Sequence, residues 1–218
     1  MPRTKIGVFD SGVGAVPVIK AIRKQLPDLE IVYKDDKTHV PYGDRSIEQI
    51  HGFVRPIFQQ FIDEDCKVIV VACNTVTTNL IGKLREEFSI PMVGMEPAVK
   101  PAAELTKTGV IAVCATPRTL SSNRYNWLKN QYAKDVKVLE PDCSNWAMMI
   151  ENNSIDREKV ANTVNEVCDA DADVIVLGCT HYHWIEELIK TCADQRAEVI
   201  QPEEPVIAQL KRVLEQLV

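Results

Sequence analysis

Short, almost uninterrupted apolar runs alternate along the chain with longer segments whose apolar residues recur every three or four positions. The runs Val68-Ile69-Val70-Val71 and Val174-Ile175-Val176-Leu177 contain no polar residue. Strands covered on both faces of a parallel sheet have this composition. The same reading places strands at residues 5–10, 29–33, 67–72, 91–95, 109–114, 136–139, 173–178 and 197–200. Helices are expected between them. Pro17 opens the first, with Val18, Ile22 and Leu26 on one face. Residues 47–61 read as another, with Gly52 and Pro56 expected to kink it. Segments 75–88, 97–105, 117–131, 155–168, 183–193 and 203–217 complete the set. This alternation implies an α/β fold with mainly parallel sheets.

The pattern also repeats. Asp65-Cys66-Lys67-Val68-Ile69-Val70-Val71-Ala72-Cys73-Asn74-Thr75 is echoed by Asp171-Ala172-Asp173-Val174-Ile175-Val176-Leu177-Gly178-Cys179-Thr180-His181. Upstream, Ile6-Gly7-Val8-Phe9-Asp10-Ser11 is echoed by Ile111-Ala112-Val113-Cys114-Ala115-Thr116. Ser11 and Cys73 stand almost as far apart in the chain as Thr116 and Cys179. Two matched segments at matched separation point to two similar domains facing each other. No Gly/Ser linker marks a boundary, which we place near Met95, where one repeat ends. The last strand and helix are expected to return to the first domain. The expected domains are therefore residues 1–96 with 200–218, and residues 97–199.

Composition narrows the class. The 218 residues are 45% hydrophobic and 26% charged, the balance of a soluble globular chain. The net charge is −6 and no basic run exists, which makes nucleic acid or an anionic membrane a poor partner. The first residues lack the apolar core of a signal peptide, and no window approaches the ~20 apolar residues of a membrane span. A cytoplasmic location is expected. The seven cysteines are odd in number and contain no Cys-x-x-Cys pair, so reduced thiols are expected. Cys179-Thr180-His181-Tyr182-His183 is the one tight Cys/His cluster. A metal there would need distant ligands, and no metal is expected.

Chemistry is expected beyond the carboxyl ends of the strands, where open α/β sheets bind ligands. Cys73 and Cys179 each follow a strand and precede a helical pattern, among backbone N–H groups and at the positive end of a helix dipole. Polar Asn74-Thr75 and Thr180-His181 follow them and need partners, one of which could be a ligand. Asp10-Ser11-Gly12-Val13-Gly14 also ends a strand, and its glycines permit a tight turn. Pro17 replaces the third glycine of a dinucleotide fingerprint, and no P-loop lysine follows. Val40-Pro41-Tyr42-Gly43-Asp44 is, by composition, a turn.

Phe9-Asp10-Ser11-Gly12-Val13-Gly14, Val40-Pro41-Tyr42-Gly43, Val71-Ala72-Cys73-Asn74-Thr75 and Leu177-Gly178-Cys179-Thr180-His181-Tyr182 together resemble the glutamate racemase family, in the family's order. The resemblance implies two α/β domains related by a pseudo-two-fold, with the active site in the cleft between them. It implies a cofactor-independent enzyme that interconverts L- and D-glutamate for peptidoglycan, with no cofactor and with a homodimer open. It makes Cys73 and Cys179 the two acid/base thiols, Cys73 acting on D-glutamate and Cys179 on L-glutamate. Asp10 would assist Cys73; His181, with Glu151, would assist Cys179. Asp10, Ser11, Pro41, Tyr42, Gly43, Asn74, Thr75, Thr116, Thr119, Thr180 and His181 would hold the substrate, with Asn74 and Thr75 on its carboxylate. Ala15, His183 and Gln201-Pro202 depart from the family's pattern, and the stretch after Cys179 is shorter than in most members.

Racemisation accounts for the thiols without the family. The α-proton must leave one face of the substrate and another arrive on the opposite face, which requires two groups, one deprotonated and one protonated. The alternatives are a racemase acting on aspartate or on both acidic amino acids, a Cys–His hydrolase, and a non-catalytic glutamate-binding relative. Asn74-Thr75 and Thr180-His181 favour glutamate over aspartate, although one methylene is worth only ~1–3 kcal/mol in a pocket.

Overall fold

Alternate residues of a strand face opposite sides of its sheet, and here both sides are apolar. In the computed structural model, which describes residues 3–217, β1 (Lys5–Asp10), β2 (Glu30–Asp35), β3 (Val68–Val71) and β4 (Met92–Gly94) form one sheet. All pairs are parallel and the order is β2-β1-β3-β4. Ile69 and Val71 point to one side, into a core with Phe58 and Phe61 of α2 (Ile47–Asp63) and Leu80 and Leu84 of α3 (Asn74–Glu87). Val68 and Val70 point to the other, toward Val18 and Ile22 of α1 (Ala15–Gln25) and Val206 and Leu210 of α10 (Glu203–Glu215).

The second sheet contains β5 (Val110–Cys114), β6 (Lys137–Leu139), β7 (Val174–Leu177) and β8 (Glu198–Ile200). It is again fully parallel, in the corresponding order β6-β5-β7-β8. Ile111, Val113, Val174 and Val176 share a core with Val99 and Ala102 of α4 (Val99–Leu105) and Tyr125 and Leu128 of α6 (Asn123–Tyr132). The α/β class and both parallel sheets are thus as the apolar pattern implies, with all eight strands present.

The chain divides into one compact unit running to Met95 and resuming at Glu203, and a second from Glu96 to Pro202. Met1, Pro2 and Val218 lie outside the described residues, and with them the outer ends of the first expected domain. The last strand departs from expectation. Its residues Glu198, Val199 and Ile200 pair with Val174, Ile175 and Val176 in the second sheet, so the helix α10 alone returns to the first unit.

Three helical segments also differ. Residues 117–131 form two helices, α5 (Pro117–Leu120) and α6, because Ser122 caps Tyr125 N–H and begins a new helix. The helix expected from His183 begins at Glu186 as α9 (Glu186–Ala193), preceded by a 3-10 segment Thr180–Ile185. A helix α7 (Trp146–Glu151) stands where none was expected, ahead of α8 (Arg157–Asp169). The helix α2 runs through Gly52 and Pro56 as one element, begun by a Ser46–Gln49 capping box. No helix among the described residues is long and apolar enough to cross a membrane.

Candidate active site

In each unit the candidate residues gather at the carboxyl end of the two central strands. In the first unit Asp10, fully buried, is the last residue of β1. Its Oδ2 accepts the N–H groups of Gly12 at 3.1 Å and Gly14 at 3.0 Å, winding the turn around the carboxylate. Tyr33 of β2 fixes the same turn by donating to Gly12 O at 2.6 Å. Cys73 follows β3 and Ala72 and occupies the N-cap of α3, a position usually held by a side chain that caps the helix. Its side chain makes no capping bond, and its Sγ lies 3.6 Å from Ser11 Oγ. Cys73 and Ser11 are both buried.

Asn74 and Thr75 form the first turn of α3 and are buried. Asn74 Nδ2 donates to Met95 O at 3.1 Å, while its Oδ1 is buried with no hydrogen-bond partner. A buried acceptor left without a donor costs about 1–3 kcal/mol, so this oxygen marks a place for a ligand's donor. Pro41, Tyr42 and Gly43 lie in and beside a short 3-10 turn, Tyr42–Asp44. Burial and a hydrogen bond to Asp36 push the Tyr42 phenol well above its ordinary range, and the charges of Cys73 and Asp10 add to the shift.

In the second unit Cys179 follows β7 and Gly178. A Cβ on Gly178 would sit 3.0 Å from Ala115 Cβ and 3.2 Å from Cys114 O, so a bare backbone lets β7 approach the end of β5 closely. Cys179 Sγ is 3.8 Å from His181 Nδ1, and His181 Nε2 is 2.5 Å from Glu151 Oε1. The imidazole bridges a thiol and a carboxylate while almost wholly removed from water. Glu151 reaches it from the last turn of α7, which is held by Trp146 packed edge-on against Tyr182 at 5.2 Å. Tyr182 in turn donates to Cys143 O at 2.8 Å. Burial, and next the charge of Cys179, push its phenol up. Thr116 caps α5, accepting from Thr119 N–H at 3.3 Å and donating to Thr119 Oγ1 at 3.1 Å. Thr116, Thr119 and Thr180 are buried.

Each unit thus presents a buried thiol at a strand end that also carries a carboxylate, the buried Asp10 in the first and, through an imidazole, the half-buried Glu151 in the second. Among the described residues no cluster of three or more His, Cys, Asp or Glu side chains is placed to hold a metal ion. The family model for Asp/Glu/Hydantoin racemase matches residues 11–210. The chain belongs to the Asp/Glu/Hydantoin racemase family. A glutamate racemase of Herpetosiphon aurantiacus is 40% identical over 213 residues, covering 96% of this chain and 84% of its own. The crystal structure of an Escherichia coli glutamate racemase, in complex with L-glutamate and an activator, matches with a TM-score of 0.86 at 28% identity. It covers 98% of this chain and 83% of that one. A glutamate racemase isoform of Bacillus anthracis matches with a TM-score of 0.83 at 32% identity, covering 98% and 82%.

The sequence of this Asp/Glu/Hydantoin racemase-family member left Asp36, His39, Trp146, Tyr182 and Cys143 unassigned. Asp36 carried a signal, since it is the second of two acidic residues ending the β2 pattern and the structure buries it. The supports of Glu151 carried none, because Trp146, Cys143 and Tyr182 meet only through the tertiary fold.

Proposed function

We propose that this enzyme is a two-thiol racemase that interconverts L- and D-glutamate without a cofactor and supplies D-glutamate for peptidoglycan in the cytoplasm. The observation that supports it most is the pair of buried cysteines at matched strand ends, Cys73 after β3 and Cys179 after β7. The glutamate racemases it resembles over nearly the whole chain support the choice of substrate. One thiolate removes the α-proton and the opposite thiol delivers a proton to the other face. His181 and Glu151 serve Cys179, while Asp10 and Ser11 serve Cys73. Thr75, Thr116, Thr119 and Thr180 bring hydroxyl and N–H donors to the carboxylates, where negative charge grows as the carbanion forms.

Asn74, expected on the carboxylate, suits the α-ammonium group instead, because its Nδ2 is engaged by Met95 O and its open buried atom is an acceptor. Asn74→Ala is expected to raise the KM for glutamate about tenfold, the loss of one charge-assisted hydrogen bond, in a protein that still folds with a melt lowered by loss of the bond to Met95 O. Steady-state kinetics with an unaltered KM would remove Asn74 from the substrate site.

The overall reading is tested with L-glutamate in deuterated water. D-glutamate is expected to form with solvent deuterium on its α-carbon, and activity is expected to survive dialysis against a chelator without added pyridoxal phosphate. Racemisation that retains the original α-proton, or that returns only with a metal or pyridoxal phosphate, would overturn the mechanism. Faster turnover of aspartate would move the substrate assignment.

A further inference from the structure

The segment between β2 and α2 is tied together by one buried carboxylate. Asp36 follows β2 and is buried, yet lies on a loop. Its Oδ2 accepts the Tyr42 hydroxyl at 2.6 Å. Its Oδ1 and Oδ2 lie 2.8 and 3.0 Å from His39 Nδ1, so the imidazole carries its proton on that nitrogen and donates. The His39 ring stacks on Phe53 of α2, with centroids 3.7 Å apart and planes at 8°. Arg45 closes the loop, its Nε donating to His39 O at 3.3 Å and its backbone N–H to Tyr42 O at 3.2 Å. Every one of these contacts bears on the stretch that presents Pro41, Tyr42 and Gly43, and none involves Cys73 or Asp10 directly.

A buried carboxylate with two side-chain donors from one loop has a defined effect. It fixes both donors relative to the end of β2, and networks of this kind are worth more than the sum of single contacts. The Tyr42 phenol remains a donor at any working pH, because burial and the Asp36 hydrogen bond both hold its proton. We propose that Asp36 is a positioning residue for the reaction, holding the Val40–Gly43 loop in its substrate-binding register through Tyr42 and His39. The proposal rests on the reading of Pro41, Tyr42 and Gly43 as substrate contacts. It predicts an effect on binding more than on chemistry, since the hydrogen bonds of Asp36 run to His39 and Tyr42 of the loop and not to Cys73 or Asp10.

The test compares wild type, Asp36→Ala, Tyr42→Phe and the double variant. Glutamate kinetics are measured alongside amide hydrogen exchange over residues 36–45. Asp36→Ala is expected to raise KM about tenfold, the size of a lost bond to a charged acceptor. Its kcat should stay within about threefold, as expected when ground-state and transition-state binding fall together. The double variant should be no worse than the worse single one, because both changes break the same contact. Asp36→Asn, which keeps an acceptor for Tyr42, should recover part of the loss, and exchange over the loop should quicken in Asp36→Ala alone among regions of the first unit. Multiplicative KM effects, a fall in kcat with KM unchanged, or unaltered loop exchange would overturn the proposal. A wild-type enzyme inert toward glutamate would sink the substrate reading instead, and the exchange measurement would then decide the role of Asp36.

Discussion

Cys73→Ser and Cys179→Ser are each expected to lower glutamate racemisation by about 100- to 10,000-fold, the share usually supplied by one general acid or base. Racemisation needs both groups in every turnover, one taking a proton and one giving it, so loss of either stops both directions. A hydroxyl is a far weaker acid than a thiol with its pKa near 8.5, and cannot cycle through its anion near neutral pH. The two variants should nevertheless differ on a glutamate analogue carrying chloride on its β-carbon. There the remaining thiolate takes the α-proton, the electron pair forms the Cα=Cβ bond, and chloride leaves. Only one base is used. Cys73→Ser should eliminate chloride from the L-analogue and Cys179→Ser from the D-analogue, following the assignment of Cys73 to the D-face and Cys179 to the L-face. Chiral chromatography of racemised glutamate and chloride release from each analogue measure the two outcomes. Full racemase activity in either serine variant would end the two-thiol mechanism, whereas swapped enantiomer preference would exchange the roles.

Legibility in the sequence followed the range of the interactions. Val68–Val71 and Val174–Leu177 were readable as buried strands because two-sided burial leaves no polar position in them. The echo between the two halves also had a structural counterpart, since both sheets share one strand order. The strand Glu198–Ile200 was readable as a strand but not as a member of the second sheet. It is a three-residue edge whose side chains are exposed or half-buried, and its partner β7 is chosen by packing. Likewise Ser121-Ser122 interrupts an otherwise helical pattern, and only the capping bond from Tyr125 N–H shows that Ser122 restarts the helix. In the candidate site, the thiols and their polar neighbours were visible as polar residues at the ends of apolar strands. Glu151 was visible through family resemblance alone, because it meets His181 across 30 positions of chain. Asp36 differs, since its partners His39 and Tyr42 are near in the chain and its acidic position after β2 was a signal, but a carboxylate beside a turn is normally solvated and only the loop's own fold brings the two donors to it.

Glu151→Gln and His181→Ala are expected to slow the half-reaction at Cys179 by about 100-fold, at the lower end of an acid/base contribution. The relay runs from Cys179 Sγ to His181 Nδ1 at 3.8 Å, and from His181 Nε2 to Glu151 Oε1 at 2.5 Å. The carboxylate holds the ring by accepting at Nε2, so a positive imidazole facing the thiol can be stabilised when the thiolate is needed. The Glu151→Gln change keeps the shape of the side chain but loses its charge, and removal of one partner from a buried pair leaves the other uncompensated. Equilibrium makes the steady-state result blunt, because the enantiomers have equal free energy in water. The values of kcat/KM for L- and D-glutamate must fall by the same factor whichever thiol is impaired. The single half-reactions escape that constraint, since elimination of chloride is irreversible. In both variants, elimination from the L-analogue should fall about 100-fold while elimination from the D-analogue, which uses Cys73, stays within about threefold. An α-deuterium isotope effect should also rise with L-glutamate as proton abstraction by Cys179 becomes the slow step. Equal losses with both analogues would show that Glu151 and His181 support the fold or substrate binding and not the Cys179 thiol.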